Sequence, residues 1–307
     1  MSLMSMFKGS GPSGFGYAST AEEVTEGLDL RGRTILLTGC NSGIGKETLR
    51  ALSKRGAHVI GAARTTDKAR RACDEVTGDT TPAECELSEP SSIEACVRRV
   101  KQLGRPLDAI ICNAGIMALP KLRQKYGYEL QFFTNHVGHF ILVTSLLDQL
   151  AERGRVVVVA SEAHKGAPGE GIQFDNLSGE RGYRPWESYG QSKLANILFA
   201  NELSKRLADS GRTANSLHPG AINTNLGRNM NPIARGALAL AAPLVLKSIP
   251  QGAATQCYVA VHPDVQDVTG KYFADCNEST PSAHGRDAAM AARLWEVSEK
   301  IAAEVTA

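Results

Sequence analysis

Apolar residues recur along the chain in short compact blocks separated by longer mixed stretches. Residues 34–38, 57–61, 107–112, 155–160 and 213–217 are runs rich in Ile, Val, Leu and Ala, and each predicts a buried strand. Weaker runs at 84–87 and 271–273 bring the expected count to about seven strands. Helices are predicted between them over 45–54, 66–76, 90–103, 128–150, 188–208 and 287–303. The helix over 90–103 has Pro90 in its first turn and Gly104 just past its end, a favoured pairing of start and stop residues. Strands alternating with helices predict an α/β chain, a Rossmann-type doubly wound parallel sheet with helices on both faces. Residues 1–30 are rich in Gly, Ser and acidic residues and show no clear periodicity before Leu28. They are expected to form a partly ordered N-terminal arm. No linker divides the remainder, so 31–307 reads as one domain.

Composition narrows the classes. With 42% hydrophobic and 21% charged residues in 307, the chain can bury a substantial core. Its net charge is +2, and the absence of any Lys/Arg cluster argues against nucleic acid as a partner. The longest apolar run, 237–246, is interrupted by Pro243 and falls well short of the ~20 residues of a membrane span. It reads as a lid helix, a lipid-touching segment or a buried core helix, which leaves peripheral membrane contact open. The seven cysteines are odd in number and form no CxxC pair, as expected of a reduced, cytoplasmic chain. No His/Cys/Asp grouping has metal-ligand spacing, so no metal is expected.

The first predicted strand runs into Thr38-Gly39-Cys40-Asn41-Ser42-Gly43-Ile44-Gly45. Gly39 permits a tight turn, Gly43 lets backbone approach a pyrophosphate, and Gly45 lets the helix pack on the strand. The alternative is a glycine-rich turn with no ligand. The placement between a strand and a helix favours a dinucleotide site. The second strand is followed by Ala62-Ala63-Arg64-Thr65, with no carboxylate to repel a 2′-phosphate. Arg64 can pair with that phosphate, so NADP(H) is expected over NAD(H). Lys46, one residue past the loop, is a second cation in reach.

Tyr189 and Lys193 stand at i, i+4 in the predicted helix 188–208, which puts phenol and ammonium on one face. The ammonium is expected to lower the tyrosine pKa toward neutral, making it a usable general acid. Alone, that spacing is common. Its context is not: Ala160-Ser161 and Cys112-Asn113-Ala114-Gly115 end two buried strands, at the edge where open α/β sheets bind ligands. Asn135 is a polar residue in the helix 128–150. His218-Pro219-Gly220 follows a further strand, with Thr224 beyond it.

Together these motifs resemble the short-chain dehydrogenase/reductase superfamily of the TGxxxGIG and YxxxK type, over nearly the whole chain. Asn135-His-Val-Gly-His-Phe140 and Ser188-Tyr189-Gly-Gln-Ser-Lys193-Leu-Ala-Asn196 resemble the retinol dehydrogenase branch. That branch includes WW-domain oxidoreductases and a plant chloroplast-translocon dehydrogenase. Gly11-Pro-Ser-Gly-Phe15 and Ser19-Thr-Ala-Glu-Glu23 are most similar to the chloroplast group. The resemblance implies roles. Tyr189 would protonate a carbonyl oxygen, and Lys193 would hold the nicotinamide ribose and lower the tyrosine pKa. Ser161 would bond the substrate oxygen, and Asn135 would hold a proton-relaying water. Asn113, Ala114 and Gly115 would line the adenosine side. Pro219, Gly220 and Thr224 would hold the nicotinamide. Three departures stand out. Cys112 replaces the first Asn of Asn-Asn-Ala-Gly. Glu86, in Glu86-Leu87-Ser88, replaces the Asp that contacts adenine. An insert at 165–186 separates Ser161 from Tyr189.

Met117, Leu119, Ala163, His164, Trp186 and the loop 225–250 are the expected pocket walls, and they suit a hydrophobic ketone, aldehyde or alcohol. His136 and His139 are read as packing or capping locally. A Ser–His hydrolase is disfavoured, because no G-x-S-x-G surrounds Ser161. A regulatory NADP(H)-binding subunit with little turnover is the alternative function. A sugar epimerase or dehydratase is disfavoured by the glycine spacing and Arg64. A homo-oligomer is left open, with the helices 128–150 and 188–208 paired across a two-fold.

Overall fold

The computed structural model describes residues 9–222 and 246–307. The strands are β1 (Thr34–Thr38), β2 (His58–Ala63), β3 (Thr80–Glu84), β4 (Leu107–Cys112), β5 (Gln124–Lys125), β6 (Tyr128–Glu129), β7 (Leu150–Val159), β8 (Thr213–His218), β9 (Tyr272–Ala274) and β10 (Asn277–Ser279). Eight of them form one sheet in the order β10-β9-β8-β7-β4-β1-β2-β3, parallel except for the β9–β10 pair. This is a doubly wound sheet with one antiparallel edge strand beyond the expected seven. The helices are α1 (Ala21–Val24), α2 (Gly43–Lys54), α3 (Thr66–Asp74), α4 (Pro90–Gln102), α5 (Leu130–Phe132), α6 (Gly138–Thr144), α7 (Pro185–Arg206), α8 (Ile249–Val261) and α9 (Ala288–Thr306). One face of the sheet carries α4, α6, α7 and α9, and the other carries α1, α2, α3 and α8. Both faces are therefore dry, which is why β1 and β2 are buried at every position.

Several expected boundaries moved, each for a local reason. The third strand lies at Thr80–Glu84 and not at 84–87. It is the sheet edge, where a polar, Pro82-containing strand is tolerated and the apolar signal fades. The expected helix 128–150 opens as a hairpin, turning through Tyr126 and Gly127 at positive φ. Helix α5 starts only where the Glu129 carboxylate accepts the Phe132 amide at 2.8 Å. It continues through a π-helical segment, Phe133–Val137, into α6. Strand β7 begins at Leu150, which pairs with Leu107 before a register shift. Helix α8 was not expected; its residues are buried almost throughout, so it shows no amphipathic period.

The N-terminal arm, expected to be partly ordered, is docked from residue 9 onward. Tyr17, Ala21, Val24 and Leu30 are buried, and the Phe15 ring lies 5.8 Å from that of Tyr258 on α8. Glu22 pairs with Arg50, Lys54 and Arg55 of the α2 region. Helix α9 covers the surface of α6 and α7 that carries Phe140 and Phe199, so the face expected to meet a second copy is filled within the chain. Among the described residues no helix is long and apolar enough to cross a membrane. All seven cysteines are free and buried.

Candidate active site

The carboxyl ends of β1, β4, β7 and β8 come level with one another, because Leu37 pairs with Ile111, Cys112 with Val158, and Val159 with Leu217. Every expected site residue within the described range lies on the loops and helices at that edge. Gly39 turns at φ +73° and brings Asn113 and Ala114 against its backbone. A Cβ on Gly45 would stand 2.2 Å from the Gly39 carbonyl oxygen, so the helix can begin there only without a side chain. Ser42 precedes α2 in extended conformation and makes no side-chain cap. The first amides of α2, beyond Asn41 and Ser42 and including those of Gly43, Ile44 and Gly45, thus form an uncapped helix N-terminus suited to an anion. Asn113 donates to the Thr38 carbonyl at 2.7 Å, and its buried Oδ1 has no partner among the described residues. An uncapped N-terminus and an orphaned acceptor beside it fit a dinucleotide coenzyme.

Arg64 follows β2 directly and is exposed, next to Thr65, which caps α3. Lys46, expected as a second cation, is ion-paired with Glu75. Glu86 turns back on its own loop: its Oε1 accepts the Ser88 amide at 3.2 Å and the Ser88 hydroxyl at 3.1 Å. Leu87 is buried beneath it. Gly115 lies against Asn135 and Lys193, since a Cβ there would sit 3.2 Å from Asn135 Oδ1 and 3.6 Å from Lys193 Nζ. Pro219 is buried and Gly220 turns at φ +97° over the Lys247 side chain. Thr224 and most of the loop 225–250 lie outside the described residues.

Tyr189 and Lys193 occupy neighbouring turns of α7, which the sequence starts with Pro185 at its first turn. Both are almost fully buried. Lys193 donates to the Val159 carbonyl at 2.8 Å, and its Nζ lies 5.8 Å from the centre of the Tyr189 ring. Ser161, at the end of β7, sits beside the Tyr189 phenol, and its Oγ accepts the Ala163 amide at 3.2 Å. The expected lowering of the tyrosine pKa is reversed. Burial pushes Tyr189 up to about 12, and the Ser161 hydroxyl offsets only part of this. Burial also brings Lys193 down to about 8. The ammonium lies over the ring and serves Val159, so it does not pair with the phenol oxygen.

Asn135 sits in the π-helical segment. Its Oδ1 accepts the Ile116 amide at 2.8 Å, and its Nδ2 donates to the Ile116 carbonyl and to Ser192 Oγ, both at 2.9 Å. Ser192, which the sequence did not single out, therefore ties Asn135 to the turn that carries Lys193. The only hint was its place inside the Tyr189–Lys193 motif. His164 is no pocket wall. Its Nδ1 donates to the Ser161 carbonyl at 2.7 Å and its Nε2 accepts the Ser282 amide at 3.0 Å, so it is buried with both nitrogens bound. Of the other expected walls, Leu119 is buried, with its carbonyl bonded by Tyr183 Oη at 2.6 Å, and Trp186 is half exposed, edge-on to Tyr189. The insert 165–186 is pinned on α7, where Gln191 Oε1 accepts the Gln173 amide at 2.8 Å.

The family model for short chain dehydrogenases matches residues 33–234. The chain belongs to the short-chain dehydrogenase family. Among curated relatives it is 43% identical to short-chain dehydrogenase TIC 32 A, chloroplastic, of Brassica napus, over 98% of each chain. It is 38% identical to retinol dehydrogenase 12 of Mus musculus, over 89% of this chain and 87% of that one. Among solved structures, an uncharacterised protein of Mycobacterium paratuberculosis matches with a TM-score of 0.73 and 34% identity, over 91% of this chain and 96% of that chain. The family is one of oxidoreductases that use a nicotinamide coenzyme. The sequence resemblance to the retinol dehydrogenase, WW-domain oxidoreductase and TIC 32 branch stands.

Two further rings near the dehydrogenase site give a pH dependence. Burial holds His136 down to about 3 and His139 down to about 4, from the ordinary 6.5. The folded chain keeps both neutral while the unfolded chain takes up protons below about 6.5. Stability is therefore full above that pH and falls as pH drops toward 4, by up to roughly 1.4 kcal/mol per pH unit for each ring. Urea midpoints taken from pH 7 down to about 4.5 measure this; a flat profile would contradict it.

Proposed function

We propose that this dehydrogenase transfers hydride between NADP(H) and a hydrophobic ketone or aldehyde, or the corresponding alcohol, with Tyr189 as the general acid and base. The observation that carries this reading is the meeting of the Ser161 and Tyr189 hydroxyls, with the buried Lys193 ammonium over the Tyr189 ring. When bound, the coenzyme supplies the hydride. The protein's residues do the rest. The α2 N-terminus and the Gly39–Gly45 loop would hold the pyrophosphate, and Asn113, Ala114 and Gly115 would line the adenosine side. Pro219 and Gly220 would support the nicotinamide end, and the family resemblance would give its carboxamide to Thr224. Ser161 donates to the substrate oxygen and fixes its position. Tyr189, with a pKa near 12, still carries its proton at neutral pH and donates it as the carbonyl becomes an alkoxide. Lys193, with a pKa near 8, is mostly charged at pH 7, and its ammonium over the ring stabilises the phenolate left behind. In the alcohol-oxidising direction the same groups run in reverse.

Arg64 supports NADP(H). It is exposed at the end of β2, makes no ion pair with the described residues, and no carboxylate stands beside it in Ala62–Thr65. The test is NADPH oxidation at 340 nm against a panel of apolar aldehydes and ketones, with NADH in parallel. Turnover with NADPH supports the reading. Coenzyme binding without turnover on any carbonyl would favour the regulatory-subunit alternative. In the same assay Arg64→Asp should weaken NADPH roughly ten- to a hundred-fold, the worth of a charge-assisted pair, and leave NADH nearly unchanged. Equal losses for both coenzymes would remove the 2′-phosphate contact.

A further inference from the structure

His139 lies one helical turn beyond Asn135, is 1% exposed, and has a partner at each ring nitrogen. Nδ1 is 2.9 Å from the Asn135 carbonyl oxygen. A carbonyl can only accept, so Nδ1 carries the hydrogen. Nε2 is then an acceptor, and it lies 2.9 Å from Thr38 Oγ1. The Thr38 oxygen already accepts the amides of Asn113 at 2.9 Å and Ala114 at 3.0 Å. Its single hydrogen is shared between His139 Nε2 and the more distant Ile111 carbonyl at 3.3 Å. One ring therefore joins three parts of the site: the end of β1, the Asn113-Ala114 turn after β4, and the π-helical segment Phe133–Val137. In that segment i→i+5 bonding takes the backbone out of α-helical register. From Asn135 the path continues through its side chain to Ile116 and Ser192, and Ser192 Oγ donates to the Tyr189 carbonyl at 2.8 Å.

We propose that His139 is a positioning residue for the reaction. As the Nδ1–H tautomer it locks the Asn135 turn to Thr38, and so sets Asn135 against the turn of α7 that carries Tyr189 and Lys193. His139 touches neither substrate nor reacting atoms. It acts through Asn135 and Thr38, and this inference rests on the reading of Tyr189 and Lys193 given above. An apolar side chain of similar bulk would fill the space but leave the Asn135 carbonyl without its ring donor and Thr38 without its nearer acceptor. A glutamine could replace both bonds, because its amide holds a donor nitrogen and an acceptor oxygen in a single plane.

The experiment compares His139→Leu and His139→Gln with the wild-type chain, using Tyr189→Phe as the blank. The ¹⁵N spectrum of the wild-type histidines at about pH 7 is expected to show His139 as Nδ1–H; a ring protonated at Nε2 instead overturns the network. Given cooperative thermal unfolding in both variants, His139→Leu should lose kcat by roughly ten-fold or more with little change in carbonyl KM, as expected when reacting groups shift by a fraction of an ångström. His139→Gln should stay close to wild type. Equal behaviour of the two variants, whether both active or both impaired, would show that the ring acts only by its bulk and sink the proposal. If the wild-type chain shows no Tyr189-dependent turnover, the reductase reading fails separately. The NADPH affinities of the two variants then decide this inference: weakening in Leu alone supports it, and equal affinities overturn it. If the Leu variant does not fold, the wild-type tautomer decides.

Discussion

Tyr189→Phe is expected to reduce turnover by on the order of 10³-fold, while NADPH still binds with nearly wild-type affinity. The substitution removes one oxygen from a ring that is 4% exposed and leaves its packing against Trp186 in place. The lost atom is the phenol oxygen beside Ser161, the proton donor of the proposed reaction. No other described group takes its place easily. Lys193 is held on the Val159 carbonyl, His164 has both nitrogens engaged, and His139 faces Thr38 and Asn135. Steady-state NADPH oxidation gives the rate, and quenching or enhancement of coenzyme fluorescence gives the affinity. Activity within ten-fold of wild type would mean that the proton comes from elsewhere. Loss of NADPH binding would mean that the phenol chiefly shapes the coenzyme site.

Trp295→Ala is expected to destabilise the fold by about 3–5 kcal/mol, the usual range for removing a large buried aromatic ring. Trp295 is 5% exposed on α9. Its ring stacks on Phe199 at 5.8 Å, meets Phe140 edge-on at 5.0 Å, and lies 4.2 Å from the Arg206 guanidinium. Its Nε1 donates to Glu299 at 2.7 Å. The deletion would open a cavity between α9 and the faces of α6 and α7, which rigid helices cannot close. For a chain of this size the melting temperature should fall by on the order of 10 °C, read by differential scanning calorimetry. A shift of a degree or two would show that α9 is only loosely held. Because Phe140 and Phe199 become accessible, self-association in the variant alone would indicate that α9 is what shields those helices from a second copy.

The sheet was legible because its central strands are buried on both faces, and that burial leaves uninterrupted apolar runs at 34–38, 107–112 and 155–160. Where burial is one-sided or absent the signal failed, as at the edge strand Thr80–Glu84. It also failed where burial is complete on all sides, as along α8, since periodicity needs a polar face. The docking of residues 9–30 was not legible because Phe15, Tyr17, Ala21 and Val24 are too irregularly spaced for any local pattern. They find their partners on α2 and on α8, the latter more than 200 residues along the chain.

For the site, the chain alone pointed to the residue types proposed to carry the chemistry. The glycine loop, Arg64 after β2, Ser161, and the Tyr189–Lys193 pair are set by short-range spacing, and short-range spacing fixes which side chains share a turn or a helix face. Tertiary structure decided what those side chains do to one another. It placed Lys193 on the Val159 carbonyl and let burial raise Tyr189. It turned Glu86 onto Ser88, took His164 out of the pocket, and made His139 the link between Thr38 and Asn135. Desolvation and long-range hydrogen bonds depend on what packs around a group, and no local stretch of sequence carries that information.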